Sequence, residues 1–216
     1  KGPGNATLGG KTVTLRGGNS GIVAHVDKAG SVTWAKPVSD GCSSEVSSIA
    51  RNSKGQLLVI GNFTHGDKIF DGTVTKCGAT SNVNAPFAAL LDDKGNRIWA
   101  RFGSGSNNTF TAVDFGANDV AYLTGGLQQK ETLGTVVLNK PAYQNYRVEL
   151  DAAGKWSNAV NITEGLYALT DIAVGPKGAL WHTIKVRENG KIGGVSVTAT
   201  KYHGGVYKPG DSACSD

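Results

Sequence analysis

Asp, Trp, His and Cys are the residue types in this 216-residue chain with chemistry to offer, and their spacing decides how far each reading goes. Asp27, Asp92, Asp93 and Asp151 recur in Asp-x-x-Gly stretches. Carboxylates hold calcium only where about 6–8 oxygens converge. The same spacing is what a tight hairpin turn requires, with Asp capping the turn and Gly taking its left-handed position, so these acids read as turn formers. Trp34, Trp99, Trp156 and Trp181 are aromatic surfaces on which a sugar ring could stack. Trp34 and Trp99 occupy equivalent places, which packing between repeats explains more simply; Trp34, Trp99 and Trp181 stay as stacking candidates. His25, His65, His182 and His203 fall at unrelated positions with no shared partner and read as incidental. Cys42, Cys77 and Cys214 lack the close Cys/His pairs of a zinc site. Cys42 and Cys77 are candidates either for a disulfide or for unpaired core thiols, and Cys214 for a free or intermolecular thiol.

Catalytic spacings are missing: there is no His-Glu-x-x-His, no Gly-x-Ser-x-Gly and no Gly-x-Gly-x-x-Gly. Gly4-Asn5-Ala6-Thr7-Leu8-Gly9-Gly10-Lys11-Thr12 imitates a phosphate loop but is one residue too long. It also runs into alternating Val13-Thr14-Leu15 rather than into the helix whose N-terminus would hold the phosphate. The expectation is a chain with no catalytic, cofactor-binding or metal-binding residue. Asn5, Asn62, Asn107 and Asn161 head Asn-x-Ser/Thr triplets, which a chain this rich in Asn, Ser and Thr acquires by accident.

Composition narrows the classes further. Gly numbers 31, charged residues make up 18% and apolar residues 39%, the balance of a turn-rich β protein. The net charge of +5 is not gathered into a basic stripe with interleaved aromatics, which argues against nucleic acid and leaves carbohydrate or an anionic surface as a partner. No apolar run approaches the ~18 residues of a membrane-spanning helix. The absence of Met, even at position 1, reads as a mature, exported chain, so a secreted or cell-surface location is expected.

What must position these residues is a repeat. Val26-Asp27-Lys28-Ala29-Gly30 with Trp34-Ala35-Lys36 returns as Leu91-Asp92-Asp93-Lys94-Gly95 with Trp99-Ala100-Arg101, and again as Leu150-Asp151-Ala152-Ala153-Gly154. The stretch from Ile49 to Gly61 is echoed from Thr111 to Gly125 and from Ile172 to Trp181. A third element recurs as Gly10-Lys11-Thr12-Val13, Gly72-Thr73-Val74-Thr75, Gly134-Thr135-Val136-Val137 and Gly194-Val195-Ser196-Val197. Within a repeat the apolar period is two, as in Ile22, Ala24 and Val26, which is the signal of strands. It predicts strands near 22–26, 32–37, 46–51, 56–61, 87–91, 97–102, 109–114, 119–125, 145–150 and 168–174, with a looped segment over 72–77. Four antiparallel strands per unit make a propeller blade.

The hydrophobic-Asp-x-x-Gly turn, the Trp-Ala-Lys/Arg triplet and the Ile-Ala stretch that ends in Val-x-Gly resemble the bacterial β-propeller repeat family often described as seven-bladed. The resemblance is good over 21–127 and weaker afterwards, where Ser157-Asn158-Ala159 replaces Trp-Ala-Lys and Ile184 replaces Gly61 and Gly125. It implies a secreted or surface-exposed bacterial protein with a propeller fold, and supplies no shared catalytic residue.

The expected architecture is a single all-β domain over 1–216 with about three blades' worth of strands. It divides into a half blade (1–37), a blade (46–102), a second blade (109–160), a half blade (165–205) and a tail (206–216). Three blades are too few to close a ring, since propellers need about 4–8. The expected function is therefore a non-enzymatic structural or adhesion module. It would form a head-to-tail homo-oligomer, ring or fibre, in which residues 1–37 of one copy complete residues 165–205 of the next. The alternatives are a lectin with sites between blades and a loop-based polysaccharide hydrolase or lyase.

Overall fold

The computed structural model describes residues 4–15, 20–39, 43–63, 68–70, 72–73, 85–104, 107–139, 144–164, 167–186, 189–197 and 203–208. The chain is all-β, and no α-helix occurs among the described residues. Cys42, Cys77, Cys214 and His65 lie outside them, as do most of 72–77 and the tail beyond Lys208.

Four successive units follow one plan. The first holds β1 (Gly4–Leu8), β2 (Lys11–Leu15), β3 (Ile22–Val26) and β4 (Val32–Pro37). The second holds β5 (Ser44–Arg51), β6 (Leu57–Phe63), β7 (Lys68–Ile69), β8 (Gly72–Thr73), β9 (Ala85–Leu91) and β10 (Arg97–Phe102). The third holds β11 (Thr109–Phe115), β12 (Ala121–Leu127), β13 (Glu131–Leu133), β14 (Val136–Leu138), β15 (Gln144–Leu150) and β16 (Trp156–Asn161). The fourth holds β17 (Thr163–Glu164), β18 (Tyr167–Val174), β19 (Leu180–Val186), β20 (Gly190–Ile192), β21 (Val195–Val197) and β22 (His203–Tyr207). β5-β6-β9-β10 and β11-β12-β15-β16 are complete four-stranded antiparallel blades, whereas β3-β4 is two-stranded and β18-β19-β22 three-stranded.

Each strand expected from the alternation is present, and the turns form as their residues dictate. The Oδ1 of Asp27, Asp92 and Asp151 each accepts two backbone N–H bonds, at 2.8–2.9, 2.7–2.9 and 2.8–2.9 Å, and Asn52 does the same at 2.8–3.1 Å. Gly30, Gly55, Gly95 and Gly154 close these turns at φ of 75–83°, where a side chain is strained. The third repeated element is not loop. In every copy it is the second strand of a small hairpin (β1-β2, β7-β8, β13-β14, β20-β21), which in the second, third and fourth units is inserted between the second and third blade strands and in the first precedes β3. Its tips pack on the unit's own outer strand: a Cβ placed on Gly134 would sit 3.3 Å from the Trp156 ring, and one on Gly9 would overlap Val32.

The last unit also departs from expectation. A third strand, β22, pairs along β19 with Ile184 opposite Gly205, so residues 165–205 are more than a half blade. In the complete blades the sizes are reversed, Gly61 opposite Phe87 and Gly125 opposite Tyr146. The large side chain has changed strands, from the third strand to the second. Residues 1–37 of another copy thus find the outer edge of β19 already occupied.

Packing between blades forms the core. Leu58, Ile60, Ala88 and Leu90 of the second unit meet Phe110, Leu123, Tyr146, Val148 and Leu150 of the third. On the other face of the second unit, Val59, Phe63, Phe87, Ala89 and Leu91 meet Val23, Val38 and Trp34 of the first.

Candidate functional site

The first candidates are the tryptophans. Trp34 donates its indole N–H to the Asp93 carbonyl at 2.9 Å, and Trp99 donates to the Ala152 carbonyl at 3.0 Å. Each ring lies on the Asp-x-x-Gly turn of the following blade. A Cβ on Gly95 would come within 2.9 Å of Trp34. Neighbouring cations join the same clamp: Lys36 Nζ reaches Asn96 Oδ1 at 2.8 Å, while Arg101 bonds the Gly154 and Ala153 carbonyls at 2.7 and 2.9 Å. Both indole N–H groups are thus engaged in blade contacts, while the rings stay half-buried. Trp156 is buried in a stack with Phe110 at 5.6 Å between centroids. Trp181 differs: it is 41% exposed on β19, with Lys208 Nζ 5.3 Å from the ring centre.

Several acids hold turns and inter-blade contacts. Among the described residues no group of three His, Cys, Asp or Glu is placed to hold a metal ion. Asp119 accepts the N–H and the hydroxyl of Ser53 at 2.8 and 2.9 Å, tying the first turns of two blades together. The backbone N–H of Ser53 is the main reason its carboxyl stays below the usual range. Asp92 is lowered by the Asn96 side chain above all. Asp114 Oδ2 accepts from the Val174 N–H at 2.7 Å, the corresponding link to the last unit.

Sequence reading missed two buried polar residues. Glu131 is fully buried and accepts from the N–H groups of Ser104 and Thr132 at 2.7 and 2.9 Å and from Asn108 Nδ2 at 2.9 Å. Asn108 in turn accepts from Gln128 and Gln129 at 2.8 and 3.1 Å. This knot anchors the β13-β14 hairpin to the end of the preceding blade, and it also helps to raise the buried Tyr146 hydroxyl well above its ordinary pKa, after burial itself. His182 is the second. It is fully buried where the other blades carry Val59 and Leu123, and burial, with the charge of Arg147, lowers its pKa to about 4.

The feature that stands apart is the open end of the first unit. The last alternate residues before each Asp turn are register equivalents: Phe87, Ala89 and Leu91 are all 0% exposed, and Tyr146, Val148 and Leu150 no more than 1%. All six face the preceding blade. In β3 the same positions are Ile22 and Ala24, only partly buried, and Val26, 53% exposed. β3 has no strand on its inner edge among the described residues. Beside that edge lies a cavity of about 450 Å³ bounded by Leu15, Ser20, Ile22 and the start of β5.

No family model and no curated protein matches the chain. Among solved structures, a protein of unknown function from Bacteroides caccae is similar over 87% of this chain and 69% of its own, at 12% identity and a TM-score of 0.40.

Proposed function

We propose that this chain is a non-enzymatic structural module of the secreted or surface-exposed kind, working by assembly with further copies of itself through its end units. One observation carries the reading. Ile22, Ala24 and Val26 form a face whose equivalents in both complete blades are sealed against a preceding blade, and here that face is open. Burying what remains exposed of Val26 and Ile22 is worth about 1 kcal/mol each, and Ala24 adds less, a drive towards association. The clamps at Trp34 and Trp99 support the same view, because they are an example of how one blade grips the next.

Light scattering across a wide concentration range tests this. Wild-type chain is expected to assemble and Val26→Lys to remain monomeric with an unchanged melting temperature. A wild-type chain that stays monomeric throughout, or turnover on a panel of glycosides, esters and peptides that a single substitution abolishes, would overturn it. The second reading, carbohydrate binding, is favoured by Trp181, whose indole is exposed on the opposite end face. A glycan screen in which Trp181→Ala removes binding would establish that activity.

A further inference from the structure

We propose, resting on the assembly reading, that the inner edge of β3 and its adjoining cavity accept the inner half of a blade, a two-stranded hairpin of alternating apolar residues. In the complete blades the third strand is never an inner edge: β9 is paired there by β6, and β15 by β12. β3 has only its outer neighbour, β4. Strand edges left open in monomers are usually blunted by charge or proline. Ile22-Val23-Ala24-His25-Val26 contains no Lys, Arg, Asp, Glu or Pro.

The cavity identifies what is missing. In the second unit the end of β6 runs beside the start of β9, Asn62 opposite Pro86 and Phe63 opposite Ala85. There Asn62 Oδ1 accepts from the N–H of Phe110, the first strand of the next blade, at 3.3 Å. Phe110 stands at the bulge opposite Gly125, and Val46 stands at the same bulge opposite Gly61. Around β3 the corresponding place, between Ile22 and Val46, is the cavity of about 450 Å³. It is the space that Gly61, Asn62 and Phe63 fill one blade later.

The occupant is therefore an extended strand of alternating apolar residues that ends in a small residue, a polar amide and a large apolar residue. The small residue falls opposite Ile22, as Gly61 falls opposite Phe87, where a Cβ on the glycine would come within 2.9 Å of the ring. The amide reaches towards Val46. Its apolar side chains complete the sheet whose Ile22, Ala24 and Val26 face is now open.

The probe is a synthetic hairpin peptide of residues 43–63, which is such an inner half, titrated into the intact chain. Saturable one-to-one binding is expected, with slowed amide exchange over 22–26. Ile22→Arg should weaken it by at least about tenfold, the equivalent of 1.4 kcal/mol. Since Ile22 is only partly buried, an unchanged melting temperature is expected for that variant. Should it unfold, Val26→Lys, 53% exposed on the same face, replaces it, with the same tenfold loss expected. Absence of saturable binding, or equal binding of wild type and variants, overturns the proposal. So does a wild-type assembly that Ile22→Arg dissolves but the hairpin peptide fails to displace, because the edge then belongs to some other surface of a second copy. Assembly in light scattering without peptide binding overturns this proposal and leaves the assembly reading standing; a chain that does neither removes both.

Discussion

Replacing His182 by Leu should remove a pH dependence of stability that the fold itself creates. The imidazole is fully buried at a position where the other blades carry Val59 and Leu123, so leucine has a precedent there in both size and polarity. Burial, and after it the positive charge of Arg147, lowers its pKa from 6.5 to about 4. The folded state therefore holds the neutral ring, and the unfolded chain binds the proton first. Stability from this residue is fully present above pH 6.5 and is lost as pH falls from there through about 4. At 1.36 kcal/mol per pH unit, that interval sets an upper bound of about 3 kcal/mol. The assay is urea unfolding of wild type and His182→Leu at a series of pH values from 7.5 down to about 4.5, where roughly 2 to 3 kcal/mol of the loss should already be visible. Taking the difference between the two proteins cancels the contribution of the carboxylates. Asp92 and Asp119, whose pKa values are lowered, lose their stabilisation in the acid range in both proteins alike. Wild type should lose stability steeply over this range while the variant curve stays flatter. Parallel curves would refute the reasoning, because the ring would then be accessible to protons without unfolding.

Three further outcomes follow from the blade contacts. Trp99→Phe keeps most of the packing and removes the bond to the Ala152 carbonyl, so equilibrium unfolding should show a loss of about 1 kcal/mol. Gly95→Ala should cost more than Gly30→Ala, by about 1 kcal/mol or more: both have positive φ, 75 and 83°, but only the Gly95 methyl meets the Trp34 ring. Equal losses in thermal melts would mean that the ring moves aside freely. Glu131→Gln should destabilise by about 2 kcal/mol, because its NH₂ must face either the Ser104 and Thr132 N–H groups or Asn108 Nδ2, all of which now donate to Glu131. A neutral result in urea unfolding would indicate that the β13-β14 hairpin is held by its apolar contacts.

Local interactions are what the sequence by itself determined. Alternation placed β3, β4, β9 and β10, and Asp-x-x-Gly placed their turns, because a strand's period and an Asp-capped turn depend on residues at most four apart. The expected strand at 119–125 begins instead at Ala121, since Asn118 and Asp119 take φ of 58 and 56° to make the turn. The inserted hairpins were hidden for a related reason: β7, β8, β13, β14, β20 and β21 are two or three residues long, too short for a period to show.

Only the tertiary structure decided the roles of the chemical side chains. Trp34 and Trp99 look alike in sequence and are alike in space, but their partners, Asp93 and Ala152, lie 59 and 53 residues on, beyond any local pattern. Glu131 reads as a surface acid until the strand ends fold around it, and His182 as incidental until blade packing shuts it from water. β22 was passed over because Gly204 and Gly205 carry no apolar signal, and only the folded sheet sets Gly205 opposite Ile184. The open face of β3 follows the same logic. Ile22, Ala24 and Val26 alternate as any half-buried strand does, and only their register equivalents in the complete blades show that the same positions are elsewhere sealed against a preceding blade.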